Sequence, residues 1–131
     1  MLRFRTFHNT DPPLVASIWQ SLRSQPGLLQ PVSVDTLEQC VFGKLYFDYS
    51  GMILAFDEDR AVGFAHAGFG PTDQGDRLST QSGVVCMLLV RPDCPVHEVA
   101  SGLLEESEQY LRRHGAKSVY GGGVQPIAPF Y

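Results

Sequence analysis

Apolar and polar positions change period several times along the chain, and each change marks an element. Leu2, Phe4 and Thr6 alternate with Arg3, Arg5 and Phe7, which predicts a first strand at a sheet edge. Asn9-Thr10-Asp11-Pro12-Pro13 then reads as a helix start, with a capping residue and proline in the first turn. Leu14, Val15, Ile18, Trp19 and Leu22 share one helical face, and this helix is expected to end near Gly27. A loop over Ser24–Pro31 follows, and then Ser33 or Asp35 caps a second helix carrying Val34, Leu37, Cys40 and Val41, with Gly43 as its stop. Lys44–Tyr49 fits either a helix tail or a short strand. Gly51–Phe56 and Ala61–Phe69 are strand-like runs around the polar turn Asp57-Glu58-Asp59-Arg60. Gly70–Ser82, polar and punctuated by glycine and proline, is expected to be a surface loop.

The strongest pattern spans Ser82 to Gly115. Gly83–Val90 is an almost unbroken apolar run, which predicts a strand covered on both faces. Arg91-Pro92-Asp93-Cys94-Pro95 is a short connection, because its two prolines forbid a regular helix. Val96, Val99, Ala100, Leu103, Leu104 and Leu111 then recur at helical steps, ending at Gly115 with Arg112, Arg113 and His114 in the last turn. A connection of this kind sets free backbone amides beside a strand end, a setting suited to a phosphate-bearing ligand. Lys117–Tyr120 predicts a final short strand before Gly121-Gly122-Gly123 and the tail to Tyr131. The order β-α-α-β-β-β-α-β predicts an α/β fold with a mixed central sheet flanked by helices, and residues 1–131 read as a single domain.

Composition narrows the class. Apolar residues make up 44% and charged residues 18%, ordinary for a globular protein. No run approaches the roughly 20 apolar residues of a membrane span, and the N-terminus lacks a secretory pattern. Cys40, Cys86 and Cys94 are an odd count without metal-like spacing, which points to a reduced, cytoplasmic setting and to no metal. The net charge of −4 comes with no basic run, which argues against nucleic acid as a partner. A small anionic ligand remains compatible with that mild field.

Four stretches together resemble the GNAT acetyltransferase superfamily: the hairpin LAFDEDRAVGFAH (Leu54–His66), the strand VVCMLLVRPD (Val84–Asp93), the segment HEVASGLLEESEQYLRRHGAKSVYGG (His97–Gly122), and PFY (Pro129–Tyr131). The resemblance covers nearly the whole chain. It implies the GNAT acyl-CoA N-acyltransferase fold, with acetyl-CoA as co-substrate and an amine-bearing small molecule or peptide as acceptor. It implies that the backbone of Met87-Leu88-Leu89-Val90 holds the acetyl and pantetheine groups where this strand splays from its neighbour. The pyrophosphate would then lie at the helix start, along Val96, His97, Glu98, Val99, Ala100 and Ser101. Tyr131 matches the tyrosine that protonates the leaving thiolate, a sensible match for a phenol of pKa about 10.

The chain also departs from the family pattern. Where the family loop reads Arg/Gln-x-x-Gly-x-Gly/Ala, this sequence has Pro95, Glu98 and Ala100, and only Ala100 fits. Glu98 puts a carboxylate in the first helical turn, where it answers the dipole itself and repels a diphosphate. The last two strands of a full GNAT domain are missing, so the resemblance points to strands from a partner, a homodimer, or a second half of a tandem protein. A second reading follows: a non-catalytic GNAT-like domain that dimerises or docks on a catalytic partner domain, since open sheet edges invite pairing. Among single residues, Cys86 reads as a small core hydrophobe, and Cys94 near a helix start as a thiol of lowered pKa. His66 reads as a structural histidine or a substrate contact, and no Asp, Glu or His stands out as the amine's base.

Overall fold

The computed structural model of the chain describes residues 1–22, 33–43, 47–71 and 78–121. Five strands form one sheet in the order β1 (Leu2–Thr6), β2 (Met52–Asp57), β3 (Arg60–Pro71), β4 (Leu78–Val90) and β5 (Ser118–Gly121). Neighbours are antiparallel from β1 to β4, and β5 runs parallel to β4. A parallel neighbour requires a crossover, and the 18-residue helix α3 (Val96–Arg113) provides it.

Both faces of the sheet are covered. On one side α1 (Pro12–Gln20) and α2 (Val34–Leu37), which continues into a π-helical turn over Glu38–Phe42, bury Val15, Ile18, Trp19, Leu37 and Val41 against Met52, Leu54, Phe56 and Phe64. On the other, α3 lays Val99 and Leu103 on Ile53, Ala55, Val62 and Ala65. Strand β2 therefore sends alternate residues to two dry layers, which is why MILAF reads as a run instead of an alternation. Helix α3 crosses β1 at Gly102, where any Cβ would run into the Phe4 ring.

Local chemistry sets the element ends. Ser33 caps α2 by accepting from the Thr36 amide at 3.1 Å, and Gly43 closes the π-helical turn. Asp11 precedes α1 but does not cap it. Its carboxylate instead takes both Arg5 Nη1 and Nη2, at 2.7 and 3.0 Å, and the His8 amide at 2.7 Å. Burial alone would raise this carboxyl, but the bonds from Arg5 and His8 outweigh it and hold its pKa below the ordinary value. The β2–β3 hairpin turns on two residues, Glu58 and Asp59, with Glu58 at φ +55°, as so tight a turn demands.

The expected element order is the observed one, with four differences in detail. Helix α1 ends at Gln20, short of Gly27, and the Ser24–Pro31 loop lies outside the described residues. Gly70–Ser82 is not all loop, because β3 runs on to Pro71 and β4 already starts at Leu78; polar residues on a strand facing water raise no periodic apolar signal. Of Lys44–Tyr49, residues 44–46 lie outside the described residues, Phe47 and Asp48 are in neither helix nor strand, and Tyr49–Gly51 is a turn of 3-10 helix. Finally, Cys86, Met87, Leu88 and Leu89 are only partly buried, so the apolar run is not covered on both faces along its whole length.

Candidate functional site

Strand β4 has two halves with different neighbours. Its pairing with β5 runs from Ser82↔Ser118 to Val85↔Gly121, whereas its pairing with β3 continues to Val90. Among the described residues, no strand lies against the second edge of Cys86–Val90. At the boundary sits a bulge: His66 pairs with Met87 and Ala67 with Val85, so Cys86 is the extra residue. The bulge reverses the side-chain alternation. Val85 packs with Tyr110, Leu111 and Ala116 under α3, yet Met87, two residues on, packs toward α1 and α2.

The backbone phase of the open half follows from one hydrogen bond. Arg91 N donates to Val62 O at 2.8 Å, one step beyond the Gly63↔Val90 pair. In an antiparallel ladder, hydrogen-bonded pairs alternate with non-bonded ones. Leu89 and Met87 therefore spend their N–H and C=O groups on β3, and those of Leu88 and Val90 point to the open edge. A row of peptide donors and acceptors thus faces a space that no described strand fills.

The turn after Val90 leads directly to more free donors. Helix α3 starts at Val96 behind Pro95, and no side chain caps it. The Val99 amide already donates to the Pro95 carbonyl at 3.1 Å, so the amides without an intrahelical acceptor are those of Val96, His97 and Glu98. All three side chains are exposed, and the Glu98 carboxylate stands in the same turn. Val99 is wholly buried in the core, Ala100 packs half-buried beside it, and Ser101 faces water one turn in. Tyr131 lies outside the described residues.

Residues 15–126 match the family model described as acetyltransferase (GNAT) family. The chain belongs to this family. The solved structures it resembles include the ribosomal-protein-S18-alanine N-acetyltransferase from Escherichia coli, at 18% identity and a TM-score of 0.64, over 91% of this chain and 64% of that one. N-acetylglutamate synthase from Neisseria gonorrhoeae, complexed with coenzyme A and N-acetyl-glutamate, matches at 19% identity and 0.66, over 92% of this chain and 25% of that one. An aminoglycoside N-acetyltransferase in complex with CoA matches at 18% and 0.71, over 95% and 78%. At such identities these likenesses establish the shared fold. The chain spans less than two thirds of the first two proteins. No curated protein sequence matches it.

The remaining chemistry of this GNAT domain is muted. His66 is fully buried beside Phe47, ring centroids 5.3 Å apart, and burial pushes its pKa down to about 3. It is a neutral core ring and not a surface contact. Burial likewise pushes the Cys86 thiol up to about 12. Cys94 also runs against expectation: burial, then the Asp93 charge, raises its pKa, and its Sγ lies 3.1 Å from the Arg91 carbonyl. Among the described residues no group of His, Cys, Asp and Glu is placed to hold a metal, and no helix is long and apolar enough to cross a membrane. Two features escaped the sequence: the bulge at Cys86, silent within an all-apolar run, and the hydrogen bonds of Arg91.

Proposed function

We propose that this domain is an N-acetyltransferase that moves an acetyl group from acetyl-CoA to an amine of a small molecule or peptide. The observation that carries the reading is the open edge of β4, where the peptide groups of Leu88 and Val90 face outward and the strand leads straight to the uncapped start of α3. An amide-bearing chain such as pantetheine can pair with that edge as a short strand would. The free amides of Val96, His97 and Glu98 suit a diphosphate at the strand's end. Of the stretch Val96–Ser101, the amides of Val99, Ala100 and Ser101 are within the helix, so those residues would act by packing and shape.

In the reaction, the neutral amine attacks the thioester carbonyl, the C–S bond breaks, and the thiolate leaves with a proton. Holding amine and thioester together supplies much of the acceleration, since attack needs no covalent enzyme intermediate. Tyr131 is assigned as the proton donor on family resemblance. The amine's own proton passes to solvent. Two free thiols among the described residues, Cys86 and Cys94, accord with a reducing, cytoplasmic setting.

One residue opposes the donor. The Glu98 carboxylate shares its turn with the amides assigned to the diphosphate, so affinity for CoA is set by a contest between dipole and charge. Calorimetric titration with acetyl-CoA, followed by a thiol-release assay across a panel of amines, tests the reading. Submillimolar binding with amine-dependent thiol release supports it, and the absence of both rejects it.

A further inference from the structure

Arg91, the first residue after β4, is bonded in three directions. Its amide donates to the Val62 carbonyl at 2.8 Å, its Nε to the Ala61 carbonyl at 2.8 Å, and its Nη2 to Ser17 Oγ at 2.6 Å. Ala61 and Val62 belong to a second bulge, on β3, where Phe56 pairs with Ala61 and Ala55 with Gly63. A bulge interrupts its local ladder, and here the donors to two of its carbonyls come from Arg91. Ser17 belongs to α1, on the face of the sheet opposite α3. One side chain therefore links the end of β4, the start of β3 and α1.

The same turn has a weaker second tie. Arg60 and Asp93 form a 2.7 Å ion pair, but both side chains are more than half exposed, so solvent screens most of its worth. The Arg91 Nε bond is part-buried and runs from a charged donor to the Ala61 carbonyl, and with the backbone bond to Val62 it makes the stronger anchor, the Nη2 bond to Ser17 adding an exposed third tie. Pro92 and Pro95 stiffen what lies between, so fixing Arg91 fixes the path from Val90 to Val96.

We propose that Arg91 is a positioning residue for the donor site: it holds the β4–α3 turn on the β3 bulge and on α1, and so sets the α3 amides in line with the open groups of Leu88 and Val90. This rests on the acetyl-CoA reading above. Lysine keeps the charge but lacks the planar fork that reaches Ala61 and Ser17 together. The variant to measure is thus Arg91→Lys, beside Asp93→Asn, which removes only the exposed tie.

Two readouts are needed: CoA affinity by calorimetry, and amide hydrogen exchange in the ligand-free protein. In Arg91→Lys, CoA affinity falls roughly tenfold, the worth of a charged hydrogen bond. Exchange at the amides of residue 91 and Val99 quickens by a similar factor, while Ile53 and Leu54 keep wild-type protection. Asp93→Asn changes either quantity by only about twofold. Wild-type exchange at residue 91 and Val99 in the lysine variant overturns the proposal, as does fast exchange beside unchanged CoA affinity. A wild-type protein that fails to bind CoA rejects the donor reading and Arg91's service to it, while exchange still decides whether Arg91 holds the turn.

Discussion

The Tyr110 hydroxyl donates to Asp48 Oδ2 at 2.8 Å, tying the C-terminal half of α3 to the turn that leads into β2. Asp48 uses its other oxygen to accept the Ser50 amide at 3.0 Å, so one carboxylate organises both sides of the junction. The phenol is buried, and burial, then the hydrogen bond to Asp48, raises its pKa. The folded phenol titrates above the unfolded one, so the stability it contributes is complete below about pH 10 and drains away as the pH climbs beyond. Tyr110→Phe should cost about 1 kcal/mol at neutral pH and flatten the alkaline limb of a plot of unfolding midpoint against pH.

Arg5 and Asp11 give the opposite dependence. The folded carboxyl titrates below the unfolded one, so its contribution is present above about pH 4 and is lost as the pH falls through the folded value. Asp11→Asn should cost about 2 kcal/mol near neutrality by leaving the Arg5 fork half-answered. Chemical denaturation at a series of acidic pH values measures it, with the gap to wild type narrowing as the acid limb is descended.

The phase of β4 makes adjacent residues respond differently to proline. At Leu88 the amide faces the open edge, so Leu88→Pro spares the β3 ladder and costs about 2 kcal/mol of lost packing. At Leu89 the amide is spent on β3, so Leu89→Pro should unfold the domain. Circular dichroism separates the two. The folded Leu88→Pro protein should bind CoA more weakly than Leu88→Ala, which retains the amide.

Glu98 sets the charge at the start of α3. Glu98→Gln removes the charge and keeps the length, and should tighten CoA binding by about two- to fivefold, the worth of one charge at a helix end. Raising the salt concentration should shrink the difference. Glu98→Gly should gain less, because glycine costs about 1 kcal/mol of helix propensity.

At Gly102 a methyl group has nowhere to go. Gly102→Ala should destabilise the domain by about 1–3 kcal/mol despite alanine's better helix propensity, because the Phe4 ring occupies the space. Phe4→Leu, which shortens that neighbour, should recover part of the loss in a double-mutant cycle measured by thermal unfolding.

Periodicity carried most of the fold. The helical spacing of Val96, Val99 and Leu103 placed α3, and Ser33 and Gly43 bracketed the second helical segment, because those signals are local. What stayed hidden depends on pairing between distant residues. Nothing in CMLLV distinguishes a bulged residue from its neighbours, since every candidate is apolar and the register is decided opposite His66 and Ala67. Arg91 likewise looks like any loop arginine until β3 and α1 stand around it. Cys94 misled for a related reason: proximity to a helix start favours a thiolate, but partial burial and the Asp93 charge outweigh it. The stretch Asn9-Thr10-Asp11 offered a capping residue by type alone, whereas in the fold Arg5 claims the Asp11 carboxylate and that side chain caps nothing.

The extra residue in β4 gives that strand a reading frame. Substitutions between Cys86 and Val90 alter one side chain at a time and leave the direction of every peptide group intact. Loss or gain of a single residue there would exchange the two faces at a stroke, burying the groups now turned outward. Drift in this segment should consequently proceed by replacement and hardly ever by change of length.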